Sequence, residues 1–192
     1  MLKEYVVIDN FFDNPEEVRK MALHHYKYYD KETHPDPDHM QQFPGIRTNY
    51  IDRLDTHLSK YIIEQQAAIG NFITNNSIDW DNPNNRVWNT FSLTFKDLNK
   101  RLPQWHQDYI DPTDKLCDYY YGGVVYLNKN VRKGRGTSIK LSSGEVVNVE
   151  NKFNRFVLYN SRLKHTLTRS FGTNKNNGRL VMTQFIGFNL KR

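Results

Sequence analysis

The sequence is nearly without cysteine. Its one thiol, Cys117, cannot close an intrachain disulfide, so a disulfide-stapled scaffold is excluded and an intracellular, cytoplasmic setting is expected. Long apolar runs are missing as well, and none approaches the roughly 20 residues that a bilayer-spanning helix needs. In the opening stretch MLKEYVVIDNFF, Asp9 interrupts the apolar residues before they reach the length of a secretory signal. Internal repeats and linker-like tracts are also lacking. One domain over residues 1–192, without a membrane partner, is the resulting expectation.

What is present is an ordinary globular composition with unevenly spread charge. Hydrophobic residues make up 38%, and the formal charge is 27 − 21 = +6. Residues 1 to 100 carry 11 Lys and Arg against 15 Asp and Glu, whereas residues 101 to 192 carry 16 against 6, so a net −4 precedes a net +10. The densest basic run is Lys129, Arg132, Lys133, Arg135 and Lys140. It reads either as a solvated loop or as a footprint for nucleic acid or another polyanion. The aromatic residues sit mainly inside strand-like runs, so base stacking is not separately indicated.

The pattern along the chain gives helices first and strands afterwards. YVVID (5 to 9) reads as a strand. DNPEEVRKMALHHYKYY then opens a helix with Asp13 or Asn14 as cap, Pro15 in the first turn, and Val18, Met21 and Ala22 as its apolar stripe. Residues 30 to 45 are polar and proline-rich and predict a covering loop. Leu54, Leu58, Tyr61, Ile62 and Ile69 recur at helical spacing, with Gly70 as the stop. From residue 86 the period becomes that of strands: RVWNTFSLTF, QWHQDYI, YYYGGVVYLN, TSIKLSSGEVVNVE, RFVLYNS, KHTLTRS and RLVMTQFIGF, separated by turn-rich breaks. Such spacing predicts an antiparallel sandwich, barrel or jelly roll with the helices outside.

His106 and Asp108 in QWHQDYI share one face of their segment, because successive side chains of a strand point to opposite sides. A hydrogen-bonded structural pair, an acid/base pair and a pair of metal ligands all fit that placement. A facial Fe(II) site requires a second imidazole, and His165 is the one histidine after Asp108. Arg179, at the start of RLVMTQFIGF, points either to solvent or into a pocket where a guanidinium grips a carboxylate. Trp88, Trp105, Tyr119, Tyr120 and Tyr121 are candidates for a groove, although strand aromatics more often belong to the core.

The order HQD (106 to 108), YLNK (126 to 129), GRGT (134 to 137), His165 and Arg179 resembles the 2-oxoglutarate/Fe(II)-dependent dioxygenases, in their prolyl-hydroxylase-like branch. The opening VVIDNFFDNPEEVRKMAL and PGIR (44 to 47) are similar to a small bacterial and phage group of that superfamily. The resemblance implies a mainly β fold with flanking helices, a double-stranded β-helix (jelly roll), with residues 1–85 as helical support and loop and 86–192 as β-core. It implies His106, Asp108 and His165 as Fe(II) ligands, Arg179 on the C5 carboxylate of 2-oxoglutarate, and Tyr126 and Thr137 as helpers of that anchor. It further implies hydroxylation by O₂, with release of succinate and CO₂, of an unidentified substrate for which a protein or peptide side chain is the first candidate, while the basic second half leaves an acidic or phosphate-bearing molecule open. Some branches carry Ser or Thr two positions after the arginine, where this chain has Val181. Two rival readings are a non-catalytic jelly-roll binding module and a basic nucleic-acid-binding protein. The loop 30–45 and the basic segment 129–135 are the expected lid and substrate rim.

Overall fold

Because strand side chains alternate between two faces, each long strand here must satisfy two different environments at once. The structure, a computed structural model, describes residues 2–36, 43, 45–96, 105–108 and 116–192. In chain order the elements are β1 (Tyr5–Ile8), α1 (Pro15–His24), β2 (Ile46–Arg47), α2 (Ile51–Leu54), α3 (Thr56–Thr74), β3 (Arg86–Thr94), β4 (Tyr119–Tyr126), β5 (Gly136–Lys140), β6 (Val146–Glu150), β7 (Phe156–Asn160), β8 (Lys164–Leu167) and β9 (Arg179–Phe188). Six strands form an antiparallel sheet in the order β1-β7-β4-β9-β3-β2, and three form a second sheet, β6-β5-β8. This is a double-stranded β-helix, the jelly roll expected from the sequence.

The large sheet turns Phe91 and Leu93 of β3, Tyr121 and Val125 of β4, Phe156 and Leu158 of β7, and Leu180, Met182 and Ile186 of β9 towards the helices. Val18 and Ala22 of α1 and Leu58, Ile62, Ile69 and Ile73 of α3 complete that core. The intervening residues face the smaller sheet and line a lumen, where Val124, Tyr126, Val157, Tyr159 and Val181 meet Ile139 and Val149.

The helix ends depart from the pattern-based expectation. Asn14 caps α1 as expected, accepting from the Glu17 N–H, and Pro15 opens it. The helix stops at His24, however, and Tyr29 instead bridges to Arg47, because the aromatic tail is drawn into sheet pairing. Asp55 caps α3 by accepting from the Leu58 N–H at 2.9 Å, so Leu54 belongs to the separate turn α2. Gly70 is not the stop. The helix runs through it to Thr74, and glycine stands there because Ile78 and Trp80 approach too closely for a side chain, a Cβ meeting Ile78 Cδ1 at 2.8 Å. The helix ends instead at Asn75, in the left-handed region at φ 51°.

The run QWHQDYI also departs from expectation. Of it, residues 105–108 are described, and they make a single bridge, His106 to His165, rather than a strand; 104, 109 and 110 lie outside the described residues. Among the described residues no helix is long and apolar enough to cross a membrane.

Candidate metal centre and its lumen

The bridge between His106 and His165 explains how two distant segments share one site. The His106 N–H donates to the His165 carbonyl at 3.0 Å and the reverse bond is 2.8 Å, while the Asp108 N–H donates to the Ser161 carbonyl at 3.2 Å. These bonds lay the HQD segment along β8. One ligand atom from each of His106, Asp108 and His165 then falls within 4.8 Å of the others. The two imidazole centroids are 4.4 Å apart, and the Tyr159 ring packs 4.5 Å from His165.

The protonation of His165 follows from its partners. Its Nδ1 faces the Leu163 carbonyl at 3.0 Å, which only accepts, so Nδ1 carries a proton, and Nε2, 3.4 Å from Asp108 Oδ1, is the nitrogen that donates to Asp108 when the ring is charged and offers its lone pair when the ring is neutral. Burial disfavours the charged ring, but the hydrogen bond and charge of Asp108 outweigh it and raise the pKa above the ordinary histidine value.

Asp108 sits in a seat that β4 leaves open. A Cβ at Gly122 would collide with Asp108 Oδ2, so glycine at this point of YYYGGVVY is what lets the carboxylate in. Asp108 Oδ2 is buried without a hydrogen-bond partner among the described residues. Such an orphaned carboxylate oxygen is costly unless something cationic binds it. Two imidazoles and one carboxylate form the donor set of the facial non-haem Fe(II) site, so the residues present fit that metal.

Deeper in the same lumen stands Arg179, 4% exposed, paired across β3 with Thr94. Its guanidinium lies over the Tyr126 ring at 5.7 Å, and the Tyr126 hydroxyl donates to Thr137 Oγ1 at 2.7 Å. Arg179, Tyr126 and Thr137 are therefore brought together. Burial lowers the pKa of Arg179 and raises that of Tyr126. Arg179 Nε and Thr94 Oγ1 are buried with no partner among the described residues, which fits a lumen shaped for a polar ligand. Val181 packs in the lumen, so the hydroxyls near Arg179 come from Tyr126, Thr137 and Thr94 rather than from its own strand.

Several functional expectations find different places. Tyr119 and Tyr121 stack on Phe188 as core, Trp88 faces the lumen side of β3, and Trp105 is 44% exposed beside His106. The basic segment 129–135 follows the end of β4 beside the start of β9, at the Arg179 end of the barrel rather than around the histidines. There Lys129 pairs with Glu16 at 2.6 Å and Arg135 lies over Phe171. Of the loop 30–45, residues 37–42 and 44 lie outside the described residues, and His34 ties the described part to the Thr48 carbonyl. Pattern reasoning missed Arg47, Ser92 and Thr183, which also line the lumen, because alternation along a strand becomes a chemical statement only once the buried face is known.

Comparison with solved structures sets this geometry in context. The chain is similar to a Pseudomonas putida prolyl-4-hydroxylase, at 14% identity over 98% of this chain and 94% of that one, with a TM-score of 0.60. The fold is that of the 2-oxoglutarate/Fe(II)-dependent oxygenases, in its prolyl-hydroxylase-like form. A second structure with this oxygenase fold is a Trichoplax adhaerens prolyl hydroxylase in complex with a hypoxia-inducible-factor peptide fragment (14% identity, 96% and 83% coverage, TM-score 0.58). A third is HygX from Streptomyces hygroscopicus with nickel, 2-oxoglutarate and hygromycin B bound (13% identity, 97% and 83% coverage, TM-score 0.58). No protein-family model and no curated protein sequence matches the chain.

Proposed function

We propose that this protein is an Fe(II)- and 2-oxoglutarate-dependent oxygenase that hydroxylates a C–H bond of its substrate. The observation that carries the reading is the convergence of His106, Asp108 and His165 at one end of a lumen whose other end holds a buried arginine. When bound, Fe(II) and 2-oxoglutarate supply the oxidation by O₂, with release of succinate and CO₂. His106, Asp108 and His165 would supply the two imidazoles and the one carboxylate that hold the metal. The Leu163 carbonyl keeps a proton on Nδ1 of His165, so Nε2 would be the nitrogen that binds the metal. Arg179 pairs with the C5 carboxylate of 2-oxoglutarate, and the Tyr126 hydroxyl completes that anchor by turning its proton from Thr137 Oγ1 to the carboxylate when the co-substrate binds. The apolar lumen walls, Val124, Val157 and Val181 among them, exclude water from the reacting centre. A protein or peptide side chain remains the first candidate substrate, in keeping with the peptide held by the Trichoplax adhaerens neighbour.

Anaerobic addition of Fe(II) and then 2-oxoglutarate tests the reading through the weak visible charge-transfer band of the chelate. The band should require both additions and be lost in His165→Ala. Arg179→Ala should keep the iron and weaken 2-oxoglutarate binding about 100-fold, the size of a lost charge-assisted bond. A folded wild-type protein that gives no band refutes the assignment.

A further inference from the structure

The fold splits the basic run of the sequence and adds to one part of it a cation from far away. Lys129, Arg132 and Arg135 line a cleft of about 300 Å³, whereas Lys133 and Lys140 of the same run do not. Arg19 of α1 lines that cleft as well. Its Nη1–H donates to the Leu127 carbonyl, 108 positions along the chain, at 2.8 Å. Four cationic side chains therefore surround one cavity. A carboxylate answers one of them, Lys129, whose Nζ lies 2.6 Å from Glu16. Among the described residues no carboxylate pairs with Arg19, Arg132 or Arg135. Like charges gathered in this way repel one another, and an anion between them removes the cost.

The walls of the cleft are set before any ligand arrives. Besides its bond to Leu127, the Arg19 guanidinium donates through Nη2 to the Asn176 carbonyl at 3.4 Å, which leaves further N–H groups of the fork for a ligand. Asn128 fixes the start of the basic segment, its amide donating to the Gly178 carbonyl at 2.7 Å and accepting from the Leu180 N–H at 2.8 Å. Asn177, also in the wall, accepts from the Thr173 and Asn174 N–H groups at 2.8 and 3.0 Å and so closes its own hairpin. The Phe171 ring lies 4.9 Å from the guanidinium carbon of Arg135 and gives the cleft one aromatic wall. Such preorganisation lowers the ordering cost of binding.

The number of cations selects the anion. A carboxylate offers two oxygens and one charge, whereas a phosphate monoester carries close to two charges and three peripheral oxygens, which planar guanidinium forks match in pairs. The cations stand around a cavity of small-ligand size rather than in a stripe, which suits one phosphate group and not the repeating backbone of a nucleic acid. We propose that this cleft binds the phosphate monoester of a small organic molecule, with Arg19, Arg132 and Arg135 on the phosphate and Phe171 beside the carbon part. Neither the metal triad nor Arg179 lines the cleft, so the proposal stands apart from the oxygenase reading.

Calorimetric titration of the full chain at constant ionic strength tests it, without iron or co-substrate. Ribose 5-phosphate and adenosine monophosphate are the probes, and ribose and adenosine are their neutral controls. At least one ester should bind where its control does not, and the better ester identifies the organic part. Arg132→Gln and Arg135→Gln should each weaken that binding by about tenfold or more, the size of a lost charge-assisted bond. Lys133→Gln, in the same run but outside the cleft, should leave it nearly unchanged. Arg132 is exposed, so its variant decides the matter even if Arg135→Gln fails to fold. Failure of both esters to bind, equal binding by a control, or unchanged binding in Arg132→Gln overturns the proposal. Equal losses in the Arg132 and Lys133 variants also overturn it, since diffuse charge would then suffice. Displacement of the ester by 2-oxoglutarate would assign the cleft to the co-substrate, and tighter binding of a short oligothymidylate than of either ester would assign it to a nucleic-acid strand; both results refute a site for a small phosphate ester.

Discussion

The two faces of the large sheet share the same strands and nearly the same burial but not the same chemistry. Along β9, Leu180, Met182 and Ile186 enter the helix-packed core, while Arg179, Val181 and Thr183 turn into the lumen. Along β3, Phe91 and Leu93 alternate in the same way with Thr90, Ser92 and Thr94. The helix side does hold one polar cluster, in which the Gln66 amide donates to Asn89 and Gln184. On the lumen side, Thr90 Oγ1, Thr94 Oγ1, Arg179 Nε and Asp108 Oδ2 are buried without partners among the described residues, against Gln66 Oε1 alone in that helix-side cluster. Orphaned polar groups oppose folding. Their greater number on the lumen face indicates that the helix side supplies most of the stability that offsets them.

The largest expected effect breaks the helix side alone. Phe91 is fully buried and stacks on Tyr26 at 5.5 Å, and Phe91→Ala should cost about 3–5 kcal/mol in urea unfolding. Iron and 2-oxoglutarate binding by the folded fraction should stay within about twofold, the deleted ring being on the other face of the sheet. If binding falls in step with stability, the two faces are not separable. The next effect breaks the lumen side without touching His106, Asp108 or His165. Gly122→Ala puts a methyl group where Asp108 Oδ2 lies, and iron affinity, followed by anaerobic titration, should fall by about 10–100-fold, as for other displaced metal-site groups. Near-normal iron affinity in that variant would mean that the carboxylate does not need this seat.

The same contrast explains what was legible in the sequence. Period-2 runs bounded by turns are local signals, and β3, β4, β6, β7, β8 and β9 fall within the runs that alternation marks out, with β5 starting one residue earlier than its run, at Gly136. The triad was legible because few residues compete for it: His165 is the one histidine after Asp108. The end of α3 was not, because Gly70 acts through close approach of Ile78 and Trp80, a tertiary contact that overrides its local helix-breaking tendency. Arg47 was legible as part of PGIR but not as a lumen residue, since its face is fixed by pairing with Ser92, 45 residues away. The basic segment drew attention by charge alone, yet its position at the Arg179 end follows from bonds of Asn128 to Gly178 and Leu180 that no local pattern announces.

The smallest effect sharpens the comparison most, because its sign depends on the ligand. Thr94 Oγ1 is buried without a partner beside Arg179, so Thr94→Val removes an orphaned hydroxyl while keeping the side-chain shape. On the helix side an equivalent loss of a satisfied polar group would destabilise. Here the ligand-free protein should gain up to about 1 kcal/mol in urea unfolding, because a buried group without a partner only penalises the folded state. If Thr94 Oγ1 completes the site for the 2-oxoglutarate carboxylate, the same variant should bind 2-oxoglutarate several-fold more weakly, about 1 kcal/mol. Its midpoint shift on adding saturating co-substrate should then be smaller than that of the wild type. A variant that is destabilised without ligand, or that binds 2-oxoglutarate unchanged, would show that the lumen hydroxyl is ordinary packing and that the polar face is not organised around a dicarboxylate.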